Sequence, residues 1–217
     1  MKKIVSLKKE YVSVGGSFGG NQNFFKDSKK IFSKGKQMGG CGVVALTDTV
    51  SYLNGFKHFT DPEAYRSRFN ETAKKILFFP SRFGMTFIKA FWGMRFLSHI
   101  QKLHVKCRWV LPVGDPYKKI CRMLSEDLPV ILCIPKIYGP GKKARMLTFY
   151  DPETLKPADR THGHFVVATG VYINENDIYL EISSWGKRFF IKYSEFRAFV
   201  KKHPTGVLGY MLELKRS

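Results

Sequence analysis

Leu128-Pro129-Val130-Ile131-Leu132-Cys133-Ile134 is the stretch on which the fold turns. Behind the proline comes a continuous apolar run of strand length, rich in β-branched residues. Downstream of it the pattern predicts strands over Met146–Tyr150, His164–Tyr172, Ile178–Ser183, Arg188–Lys192 and Val207–Glu213, with one helix at Ser194–Lys202. The polar turn Asn174-Glu175-Asn176-Asp177 joins two of these strands into a hairpin. Upstream of it the periodicity is helical. From Cys41 to about Leu53 the apolar residues Val43, Val44, Leu46, Val50 and Leu53 recur at helix spacing, and Asn54-Gly55 ends the run. Asp61-Pro62-Glu63 reads as a cap, with proline in the first turn, for a helix to about Leu77. A third helix is predicted from about Gly84 to Leu103, a short strand over Cys107–Leu111, and a helix from Asp115-Pro116 to about Ser125. The fold class is therefore α+β. An N-terminal helical half, about 19–127, packs against a C-terminal antiparallel sheet, about 128–217, with a cleft between them.

Chemistry enters at Gly39-Gly40-Cys41-Gly42. A glycine-flanked cysteine at a helix start faces unpaired N–H groups and the positive end of the helix dipole, which favour thiolate. Far downstream His164 opens an apolar strand, and Ser183-Ser184-Trp185-Gly186 follows on the next. A histidine so placed can serve the sulfur as proton acceptor and donor. His162, two residues earlier, is an alternative base, and the His162/His164 pair lacks a third ligand at metal spacing. Cys107, Cys121 and Cys133 read as inert, small apolar residues. Tyr52, Phe56, Phe78, Phe79, Phe91, Trp92 and Trp109 read as core.

With 217 residues and 44% hydrophobic content, the chain can bury a large core, and no linker or repeat divides it, so a single domain over 1–217 is expected. Four cysteines without close pairing fit reduced thiols in a cytoplasm, and the N-terminus lacks the apolar core of a secretion signal. Ile76 to Ile100 is the most hydrophobic region, but Pro80, Arg82, Lys89 and Arg95 interrupt it, so no transmembrane segment is expected. The 37 Lys+Arg against 17 Asp+Glu give a formal charge of +20, spread as lysine pairs along the chain and without a nucleic-acid motif. Lys26, Lys29, Lys30, Lys34 and Lys36 precede Cys41 and would attract acidic substrates or anionic surfaces.

The order of these motifs resembles the papain-like cysteine peptidase superfamily, and within it the bacteriocin-processing branch and related clostridial proteins. The likeness runs from about Gly19 to Leu214 and rests on Gly40-Cys41-Gly42, the His164 strand, Ser183-Ser184-Trp185-Gly186 and the strand after Pro129. In that branch a glutamine lies upstream of the nucleophile turn, and here Gln22 stands in Gly19-Gly20-Asn21-Gln22-Asn23 at a similar distance. The resemblance implies a thiol hydrolase of peptide or isopeptide bonds with Cys41 as nucleophile, His164 as base and no cofactor. Gln22 and the Cys41 N–H would stabilise the oxyanion, with Gln37 as second choice for the side-chain donor. The third position departs from the family. Papain-like enzymes carry asparagine there and the bacteriocin-processing branch aspartate, whereas this chain offers Ser183, which orients an imidazole without stabilising its charged form. Strand alternation puts Glu181 on the same side as a substitute carboxylate, and Trp185 would cover the histidine. Four readings stay open: a peptidase acting on a peptide or protein substrate, an acyltransferase or transglutaminase-like enzyme using the same pair, a degenerate binding module with a cationic cleft, and a structural protein whose Gly-Cys-Gly turn is tight packing alone.

Overall fold

A computed structural model describes residues 1–25, 40–76, 85–110, 115–135, 145–201 and 209–217. Lys26, Lys29, Lys30, Lys34, Lys36, Gln37, Phe78 and Phe79 lie outside them.

The predicted first helix is α1 (Gly40–Leu53), and it is buried on nearly every side, its polar residues Thr47, Asp48, Thr49 and Ser51 included. Helix α2 (Pro62–Ile76) starts on the expected cap: Asp61 Oδ1 accepts from the N–H groups of Glu63 and Ala64, each at 2.9 Å. Thr86 caps α3 (Phe87–Ile100) through Lys89 N–H at 3.3 Å. Two further helices, α4 (Tyr117–Ser125) and α5 (Tyr193–Lys201), fall where the sequence puts them. Among the described residues five helices and a large antiparallel sheet make the chain α+β.

The strands are β1 (Lys2–Ser6), β2 (Ser13–Val14), β3 (Ser17–Phe18), β4 (His58–Phe59), β5 (Val105–Val110), β6 (Val130–Ile134), β7 (Leu147–Tyr150), β8 (Pro157–Thr161), β9 (His164–Asn174), β10 (Asp177–Ser184), β11 (Lys187–Lys192) and β12 (Met211–Arg216). Among the described residues nine of them form one sheet in the order β5-β12-β6-β9-β10-β11-β7-β8, with β1 also on β9, while β2, β3 and β4 form a small second sheet. Strand β9 is the spine. One edge of it pairs with β10, and the other is shared end to end by β6, from Ile134↔His164 to Val130↔Ala168, and β1, from Ser6↔Gly170 to Lys2↔Ile173. Helix α1 packs on β9 and β6, and α2 and α3 pack on α1. The helix that carries Cys41 and the strand that starts with His164 are thus direct neighbours through helix–sheet packing.

Two features differ from the sequence reading. Strands β1 and β5, from the first half of the chain, belong to the large sheet, so the sheet recruits both halves. Trp92 and Phe56, expected in the core, are each 52% exposed. Among the described residues no helix is long and apolar enough to cross a membrane.

Candidate functional site

Cys41 is the second residue of α1, and His164 is the first residue of β9. Because α1 rests on β9, both line one cleft, together with Gln22, Asp48, Ser183 and Trp185. Gln22 begins a short 3-10 turn, Gln22–Phe25, that lies against the start of α1. A Cβ placed on Gly40 would stand 3.0 Å from Gln22 Cβ and 3.6 Å from its Oε1, so the glutamine amide abuts the helix mouth. Gly42 is required for a different reason: a Cβ there would come within 2.3 Å of Met85 Cγ and 3.3 Å of the Phe165 ring. Of the four site residues expected from sequence, Cys41, His164, Gln22 and Ser183 all line this cleft.

The partner of the imidazole is not the expected one. His164 Nε2 is 2.8 Å from Ser184 Oγ, while Ser183 Oγ donates to the Phe18 carbonyl at 2.9 Å. Register explains the exchange. Ser183 pairs with Val167, so Ser184 falls opposite Val166, on the face that His164 shares. The role given to Ser183 from sequence therefore passes to Ser184. Glu181 is occupied elsewhere, accepting from Thr169 Oγ1 at 2.8 Å and Tyr172 Oη at 3.2 Å and pairing with Arg188 at 3.6 Å. The register shift here lies on β9, where Thr169 is the extra residue between Gly170 and Ala168, so β10 keeps its alternation and Glu181 shares the face of Ser183, drawn off by these partners instead. Trp185 stacks on the imidazole with ring centroids 4.7 Å apart at 23°, as anticipated for a cover, and Phe149 flanks both rings. His162 precedes β9 and does not line the cleft, and its Nδ1 is buried without a partner among the described residues.

Burial dominates the electrostatics. It pushes the Cys41 thiol up, against the backbone N–H groups of Phe165, Gly42 and Cys41 itself, which pull it down. Burial also lowers His164 to about 4. Here the sequence expectation of a stabilised thiolate is corrected: the helix-start N–H groups are present, but removal from water outweighs them. At neutral pH the pair rests as thiol and neutral imidazole. Cys133, the cross-strand partner of Phe165, is pushed up to about 12 by burial and by the neighbouring Cys41 sulfur.

Sequence reasoning missed Asp48. It lies two turns below Cys41 on the same helix, fully buried, and lines the floor of the cleft. Tyr65 Oη donates to its Oδ1 at 2.6 Å, and Gly20 N–H and Tyr11 Oη donate to Oδ2 at 3.0 and 3.4 Å. Burial raises the carboxyl to about 6 in spite of those donors. A lone acid inside an otherwise uncharged, core-type helix was the available signal, since such a group persists only when hydrogen-bonded. The cleft thus carries a soft nucleophile, a base held at one ring nitrogen, an amide donor and a buried acid. That set suits acyl transfer and offers no metal-binding cage, because among the described residues no three His, Cys, Asp or Glu side chains gather to hold an ion. No family model, curated protein or solved structure matches the chain.

Proposed function

We propose that this chain is a papain-like cysteine hydrolase that cleaves peptide or isopeptide bonds through an acyl-enzyme on Cys41. The observation that carries the reading is the convergence of Cys41, His164 and Gln22 on one cleft from three separate stretches of sequence. The helix-borne cysteine packed on an antiparallel sheet whose strand starts with the histidine agrees with the architecture that the resemblance implies.

Because the resting pair is neutral, the sulfur is activated as it attacks. With Nε2–H directed to Ser184, Nδ1 carries the lone pair and takes the thiol proton as the C–S bond forms. The resulting oxyanion is met by the Gln22 amide and the Cys41 N–H, an interaction worth about 3 kcal/mol per donor in comparable sites. The protonated imidazole then gives its proton to the departing amine as the C–N bond breaks. Water resolves the thioester by the reverse proton path. Trp185, stacked on the ring, keeps bulk water from the imidazolium.

The raised thiol and lowered imidazole also favour a second reading, a binding module that kept the fold without the chemistry. An acyl-trapping experiment separates the two. Treatment with activated peptide esters should give a stoichiometric burst and an acyl mass increment on Cys41, lost in His164→Ala. No adduct on Cys41, or one indifferent to His164→Ala, rejects the hydrolase.

A further inference from the structure

Helix α3 turns Phe87, Ala90, Gly93, Met94, Leu97 and Ser98 inward, the ordinary buried stripe of a packed helix. Its other side is also apolar. Ile88, Trp92, Phe96 and Ile100 repeat every four residues and are 41%, 52%, 48% and 38% exposed, forming one ridge along the whole helix. Single exposed apolar residues need no explanation, but four in line, including the most exposed tryptophan, mark an interaction surface. At 1.5 Å rise per residue the ridge is roughly 18 Å long.

Its chemistry is one-sided. Between Glu71 and Asp115 the sequence contains no acidic residue and eight Lys or Arg. Within that span Lys89 and Arg95 lie on α3 and Lys102 just beyond its end. The Arg95 guanidinium sits 5.5 Å from the Trp92 ring centre and 5.7 Å from that of Phe91, a cation held at the edge of the apolar ridge. A straight ridge with tryptophan along its crest and basic side chains beside it matches an interfacial helix, whose apolar face enters the acyl boundary while its cations reach anionic headgroups.

We propose that α3 docks the protein on an anionic bilayer surface, the Ile88-Trp92-Phe96-Ile100 ridge entering the interface and Lys89, Arg95 and Lys102 pairing with lipid phosphates. Met85, one residue before the α3 cap, packs on Gly42 beside Cys41, so the docked ridge begins near the first turn of the helix that carries Cys41. Membrane attachment would then hold the cleft near substrates at the lipid surface.

The test is vesicle flotation of the full chain with phosphatidylcholine vesicles, with and without phosphatidylglycerol, together with tryptophan emission. Wild type should float only with the anionic vesicles, with a blue shift reporting Trp92. Trp92→Ser/Phe96→Ser, checked for unchanged circular dichroism, should bind about tenfold or more weakly, and Lys89→Gln/Arg95→Gln/Lys102→Gln should lose the preference for anionic lipid. Failure of wild type to float at low salt overturns the proposal. So does equal flotation of the Trp92→Ser/Phe96→Ser variant, which would mean adsorption by net charge alone. Light scattering that shows a wild-type dimer dispersed by the same variant would also overturn it, assigning the ridge to a second copy of the chain.

Discussion

His164 Nε2 and Ser184 Oγ lie 2.8 Å apart inside the sheet, and in the proposed mechanism that contact would decide which ring nitrogen remains for the sulfur. If Ser184 accepts from Nε2–H, Nδ1 is basic; if the contact is lost, the tautomer is free to invert. Ser184→Ala should therefore slow acylation of Cys41 by about 10- to 100-fold, measured as burst rate with an activated ester. Ser183→Ala removes only the bond to the Phe18 carbonyl and should leave the burst within a few-fold of wild type.

The distinction between these two serines shows where sequence stops being informative. Val130–Ile134 and α1 were legible because their burial is uniform along the element, so composition alone marks them. Strands β1, with three exposed residues out of five, and β8, which begins with proline and buries only Thr161, leave no apolar pattern to read. Their partners supply the reason for pairing, and those partners are distant in sequence. Which of the two serines meets His164 depends on the cross-strand register, with Ser183 opposite Val167, and sequence alternation does not supply that register. Cys41 and His164 stood out through local motifs. The raised thiol and the Asp48 network did not, because both are products of burial by elements far away in the chain.

Gln22 has a role that can be separated from nucleophilicity. Its amide abuts the mouth of α1 at Gly40, and in the proposed mechanism it would act on charge developing at the acyl oxygen and not on the thiol itself. Gln22→Ala should cut the acylation rate by about 100- to 1000-fold while alkylation of Cys41 by iodoacetamide, which forms no oxyanion, stays unchanged. Equal loss in both assays would show that the turn Gln22–Phe25 supports the thiol's environment instead.

Gly42 tests the packing that joins the start of α3 to the helix that carries Cys41. A methyl group there meets Met85 Cγ at 2.3 Å, too close for any ordinary contact. Gly42→Ala should destabilise the fold by about 1–3 kcal/mol in chemical denaturation, through overpacking. Met85→Ala opens the space, so the double variant should be more stable than the sum of the single effects predicts.

Two buried titratable groups in one cleft should give opposite pH slopes of stability. Asp48 is raised from 3.8 to about 6, so between those values the folded chain holds a proton that the unfolded chain releases, and stability falls as pH rises. His164 is lowered from 6.5 to about 4, so between those values the unfolded chain binds the extra proton, and stability falls as pH drops. Each effect is on the order of 3 kcal/mol, and from about pH 4 to 6 they oppose one another. With respect to this pair wild type should be nearly flat across that window. Asp48→Asn removes the falling limb and should leave a stability that climbs with pH, whereas His164→Gln removes the rising limb and should leave one that declines. Urea midpoints for the three proteins at several values in the window check the signs directly. Parallel profiles would mean that Asp48 and His164 are not the buried acid and the buried neutral base of this cleft.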